Sequence, residues 1–167
     1  PLLARAARWS IGAVAAATLL VAAQDWRATC ADIALKLVAK TPPDRFQLRA
    51  QLYDRATRLA PHERYYRRQW VLDLLGNAVA DLRTLKDAPP QAVETRRRLA
   101  TVARNLAVAE SVARTATLLF PRDPWVVFAL ANVLQVKALR VLRPLDPPAG
   151  WHALQEANDV FARAHRL

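Results

Sequence analysis

Apolar positions along this chain recur at helical spacing, and prolines cut the pattern into segments. Pro42-Pro43, Pro61, Pro89-Pro90, Pro121, Pro124, Pro144 and Pro147-Pro148 each mark a boundary, because proline lacks the N–H and clashes with the preceding turn. Between them the periodicity predicts helices near 25–40, 44–60, 62–87, 90–120, 124–142 and 150–167, the first continuing an apolar N-terminal segment. No segment sustains a period of two, so an all-α fold is expected. Asp123-Pro124 is the strongest start signal, pairing an N-cap acceptor with the residue whose missing N–H costs nothing at N1. From Leu99, the residues Val102, Leu106, Ala109, Ala113, Ala116 and Phe120 follow at alternating steps of 3 and 4, a heptad-like stripe. The segment from Trp125 to Leu142 is apolar nearly all round, which predicts a helix packed on several sides.

The N-terminal segment from Ile11 to Ala23 is uncharged, follows Arg5 and Arg8, and precedes Asp25. Trp9 and Trp26 bracket it 17 residues apart, about 25 Å along a helix, near the spacing of the two interfacial belts of a thin bilayer. We read residues 1–27 as a transmembrane anchor built on Trp9, Ile11, Val14, Leu19, Leu20, Val21 and Trp26, with a juxtamembrane helix and linker over 28–43. A cleaved signal peptide ending at Val21-Ala22-Ala23 and a buried Ala-rich helix are the competing readings. Basic residues flank both sides of the segment, so their count does not orient it. The order of charge, apolar run and small residues favours a bacterial inner-membrane protein with a periplasmic helical domain. Cys30 follows Arg27-Ala28-Thr29, which does not fit a lipidation signal, and reads as a packing residue.

The helical remainder, 44–167, carries a recurring spacing. Tyr53, Ala56 and Pro61 match the spacing of Ala113, Ala116 and Pro121, while Ala157, Phe161 and Ala164 match Ala109, Ala113 and Ala116. Steps of 9, 10 and 13 from Pro61 reach Trp70, Val71 and Leu74, and from Pro121 they reach Leu130, Ala131 and Leu134. This agreement resembles tetratricopeptide (TPR) repeats, which implies antiparallel helical hairpins with Tyr53, Ala56, Trp70, Leu74, Ala109, Ala116, Leu130, Leu134, Ala157, Phe161 and Ala164 in the packing. The pattern departs from that family where Arg49 replaces a small residue and Ala113 a bulky one, and where its intervals exceed the usual period of about 34. The run from Leu52 to Tyr66, after an apolar segment, also resembles the TPR tail of O-antigen ligase-like membrane proteins. The catalytic residues of that family lie in a many-helix membrane domain, so none is carried over here.

Composition narrows the chemistry. With 53% apolar residues and 3 glycines in 167, the chain is neither a disordered polycation nor a turn-rich β protein. One Cys and three separated His give no disulfide framework or metal cluster, so no metal and no cofactor is expected. His62-Glu63 follows Pro61 at a helix start, where Glu simply suits the helix dipole. No phosphate loop or nucleophile elbow occurs, and no catalytic residue is assigned.

The net charge of +11 is concentrated, with seven Arg against Asp54 and Glu63 between Arg45 and Arg68, and a second cluster at Arg96-Arg97-Arg98. Beside an anchor, such a face meets anionic lipid headgroups or an acidic protein surface more naturally than nucleic acid. Arg45 and Arg49 fall on the helix side of Leu48, Leu52 and Ala56, which together with Arg64, Arg67, Arg68 and Arg96–Arg98 makes them the expected partner contacts. The sequence thus reads as a non-enzymatic scaffold or accessory subunit docking onto other subunits of a photosynthetic, respiratory, secretion or envelope-assembly complex. The tail of a glycan ligase or polymerase is the alternative, and a reading frame with further apolar spans upstream would distinguish it.

Overall fold

The computed structural model describes residues 2–85, 92–142 and 146–167, with side chains from Ala13 onward. Every regular element among them is helical: α1 (Leu2–Lys40), α2 (Phe46–Leu59), α3 (Arg64–Thr84), α4 (Val93–Leu119), α5 (Pro124–Lys137), a π-helical turn (Ala138–Leu142) and α6 (Pro147–Ala164). The segment 143–145 and the junction at Pro89-Pro90 lie outside the described residues.

Helix ends follow local chemistry. The Asp123 carboxylate accepts from the Trp125 amide at 2.9 Å, with Pro124 at N1, as the sequence predicts. Asp146 and Pro147 repeat this device, accepting from the Ala149 amide at 3.1 Å, so α6 opens three residues before the expected 150. At α2, by contrast, Arg45 occupies the N-cap without a side-chain hydrogen bond.

The chain divides into two compact units, Pro1–Pro61 and His62–Leu167. The first unit ends at Pro61 and holds α2 packed on α1. In that first unit α1 buries Ala31, Ala34 and Val38, and α2 buries Tyr53, Ala56 and Thr57. Residues 28–40 continue α1 as unbroken helix, and 41–45 form the short non-helical connection to α2.

In the second unit α3 packs on α4, α4 on α5, α5 on α6, and α3 also touches α5. Ala78, Val102 and Leu106 form a core cluster, with Leu75, Leu82, Val136 and Val141 against it. The predicted α4 stripe is this core face: Val102, Leu106, Ala109, Ala113 and Ala116 are all buried. Among the repeat-packing residues, Tyr53, Ala56, Leu74, Ala109, Ala116, Leu130, Leu134 and Ala157 are buried, whereas Trp70, Phe161 and Ala164 are half-buried. Phe161 sets its ring edge-on to Phe128 at 5.3 Å.

α5 with its π turn, Pro124–Leu142, is the one helix among the described residues that is long and apolar enough to cross a membrane. Its packing against α3, α4 and α6 accounts for that apolarity, with Val126, Val127, Ala129, Leu130, Ala131, Val133 and Leu134 buried. In the described part of α1 the uncharged apolar run extends from Ala13 to Ala23, with Asp25 and Arg27 after it. The side chains of Trp9 and Ile11 lie outside the described residues.

An ion network ties three helices of the second unit. The Glu110 carboxylate receives Lys137 Nζ at 2.7 Å and Arg114 Nε at 2.9 Å, and Arg114 also reaches Glu156 at 2.6 Å. Burial raises the Glu110 carboxyl, but hydrogen bonds from Lys137 and Arg114, with their charges, outweigh it and hold the group below its ordinary value. A lowered folded pKa contributes stability that is complete above the unfolded value of about 4.3 and is lost as pH falls through the folded value. Thermal melts below pH 4.3 should therefore show a loss of stability that is smaller in Glu110→Gln, and identical acid profiles for the two proteins would disprove the coupling.

Candidate functional site

Two features of the surface depart from an ordinary soluble helical protein: the outer part of α1 and the arginines. From Ala13 to Thr29 every residue of α1 is exposed, including Val14 at 66%, Leu19 at 71%, Leu20, Val21 and Trp26 at 69%. A contiguous apolar surface of this kind is rare on water-facing proteins and marks contact with lipid or protein. The segment solves its internal polarity locally, with Thr18 Oγ1 donating to the Val14 carbonyl at 2.9 Å.

Several of the arginines expected at a partner surface are engaged within the chain. Arg49 donates to the carbonyls of Val38 and Thr41, capping the end of α1 where Pro42 and Pro43 forbid further helical donors. Thr41 Oγ1 supports the same end by donating to the Leu37 carbonyl at 2.7 Å. Arg49 sits on the face of α2 toward α1, and its guanidinium is engaged there. Reversing its charge would unpick this cap, so it is no clean probe of docking.

Arg64 stays largely exposed and binds at 2.7 Å the carboxylate of Asp123, whose side chain is buried. Asp123 thus caps α5 with one oxygen and holds the start of α3 with the other. One turn further along α3, Arg68 lies over the Trp125 ring, 4.8 Å from its centroid. Arg67 buries its Nε without a hydrogen-bond partner among the described residues, and burial lowers its guanidinium from its ordinary value. The first turns of α3 and the start of α5 therefore form one basic and aromatic corner, with Tyr65 half exposed on its rim.

The second cluster lies at the start of α4. Since Ala78 packs with Val102 and Leu106, α4 runs back along α3, and Arg96–Arg98 stand near the end of α3 away from Arg64–Arg68. The 21 residues of α3 put about 30 Å between the two clusters, so they do not form one patch. Arg98 pairs with Glu94 at 2.9 Å on its own helix, an exposed contact of small worth. Arg96 also has a partner, whereas the exposed guanidinium groups of Arg45 and Arg97 make no ion pair or hydrogen bond among the described residues.

Sequence reasoning missed Asp123 as the anion that neutralises Arg64, because only tertiary structure brings α3 and α5 together. It also missed the Glu110 network, although Glu110 and Arg114 stand at i, i+4 and their pairing was open to inspection. Among the described residues no three His, Cys, Asp or Glu side chains gather into a metal-binding group. Comparison of the chain with protein-family models, curated proteins and solved structures finds no match.

Proposed function

We propose that this chain is a non-enzymatic, membrane-anchored accessory subunit, in which α1 spans the bilayer and the following helical hairpins dock onto another subunit of a membrane complex. The observation that carries this reading is the uncharged stretch from Ala13 to Ala23, exposed on all sides with large aliphatic residues outward. Water is a poor environment for that surface, and a hydrocarbon core is a favourable one. TPR-like packing is supported by the alternation in the second unit, where α3 pairs with α4, α5 pairs with α6, and α3 and α4 both meet α5. Adjacent hairpins stacked in this way form an extended docking surface.

The docking charges are the arginines left open, foremost Arg45 and Arg97, with Arg68 presenting a cation beside Trp125. An acidic protein face or anionic headgroups would satisfy them. The untreated chain should remain in the membrane pellet after a carbonate wash. Arg45→Glu with Arg97→Glu should then reduce co-purification of the partner subunit more than Arg122→Glu with Arg166→Glu, which changes charge equally. The effect should shrink as salt shortens the Debye length below about 8 Å. Equal recovery with both double variants would mean that docking runs through apolar surface.

A further inference from the structure

We propose that α1 pairs with α1 of a second copy of this chain, in parallel, along a seam formed by Ala16, Leu19, Ala23, Trp26, Cys30, Ile33 and Leu37. These residues recur with a strict seven-residue period: Ala16, Ala23, Cys30 and Leu37 hold one core position, and Leu19, Trp26 and Ile33 the other. Three heptads of uninterrupted apolar seam drive a straight helix into a supercoil with a partner of the same period. Ala16, Ala23 and Cys30 at one position alternate with Leu19 and Trp26 at the other, so each of these two bulky layers is flanked by small ones, while Ile33 and Leu37 end the seam as two large layers.

The inference rests on the anchor reading for the part up to Trp26, and lipid alone does not account for the rest. Ile33 and Leu37 lie about 10 and 16 Å beyond Trp26 along the helix, outside the hydrocarbon core. Both remain half exposed, at 50% and 46%, although α2 packs on this same stretch of α1. α2 covers a different face, through Ala31, Ala34 and Val38, so the seam is left open. α1 therefore carries two apolar faces in water, of which the fold of this chain covers one.

Charge and direction favour a second copy over an unrelated chain. Two anchors inserted with the same topology run parallel of necessity, which sets like layers opposite one another. Across such a pair the exposed flanking positions match Ala15 with Leu20 and Ala22 with Arg27. No like charges oppose each other, and no row of charge along the seam calls for an acidic partner. Cys30, the only cysteine of the chain and partly exposed, falls at a core position. Its counterpart would lie within the Cα separation of about 4.4–6.8 Å that a disulfide needs.

Copper-phenanthroline oxidation of membranes containing the full chain tests this. A reducible band of twice the monomer mass is expected from Cys30, and equally from Ile33→Cys or Leu37→Cys in a Cys30→Ser background. Ala28→Cys in that background, on the far side of α1, should give no such band. Ile33→Asp with Leu37→Asp should abolish the Cys30 band while the chain stays helical by circular dichroism and stays in the carbonate pellet. Equal crosslinking at Ala28→Cys and Cys30, or a Cys30 adduct only with a protein of another mass, would overturn the pairing. No crosslink at either Cys30 or Ile33→Cys, with the chain still in the pellet, would also overturn it and leave the anchor standing. Release of the chain by carbonate despite a Cys30 crosslink would remove the anchor and leave the seam.

Discussion

Arginine at both Val14 and Leu20 is expected to move this protein from the carbonate-washed membrane pellet into the supernatant. Both side chains are about two-thirds exposed in the structure, so the substitutions disturb no internal packing. In a bilayer each would place a guanidinium near the middle of the apolar run, at about 2.5–3.5 kcal/mol on insertion scales. Two such charges together oppose insertion by roughly 5–7 kcal/mol, several powers of ten in partition. Val14→Leu with Leu20→Ile keeps the apolar surface and should stay in the pellet. Retention of the double-arginine protein would show that another surface holds the chain to membranes.

A second large effect is expected inside the α3–α4–α5 core. Leu106 is fully buried in the cluster with Ala78 and Val102, and Leu75, Leu82, Val136 and Val141 surround that cluster. Truncation to Ala removes the transfer energy of the lost methyl groups and leaves a cavity that rigid helices fill poorly. The loss should be about 2–5 kcal/mol. For a unit of this size the melting temperature should fall by roughly 10 °C or more. Leu118→Ala, at a side chain 82% exposed, should change stability by less than about 0.5 kcal/mol. If the two variants melt together, the core does not lie where the α4 stripe places it.

How far the chain could be read in advance depended on whether a feature was local. Asp123-Pro124 announced α5 because cap and donor are two residues apart, and the Leu99–Phe120 stripe announced the buried face of α4 because one helix holds all of it. Asp146-Pro147 carries the same start signal, yet the density of prolines from Pro144 to Pro148 concealed it. Arg49 was placed on the correct side of α2, but its carbonyl partners at the end of α1 depend on how the hairpin closes. Arg64 and Asp123 were legible only as separate charges, and their union neutralises part of the first basic cluster. The π turn at Ala138–Leu142 has no glycine or proline to signal it.

The unbroken course of α1 has a mechanical consequence. A flexible tether would let the first hairpin roam over a volume above the bilayer, whereas a helix continuous from Ala13 to Lys40 acts as a stiff post. With Trp26 at the interface, as the proposed anchor requires, Lys40 would stand about 21 Å above it, and Arg49 clamps α2 to the top of the post. If α1 is the proposed anchor, any tilt or axial rotation imposed on it in the bilayer would be handed directly to α2 and its exposed Arg45. Such a subunit would sense the geometry of its membrane surroundings through leverage, and a glycine pair inserted after Trp26 would sever that transmission without altering either end.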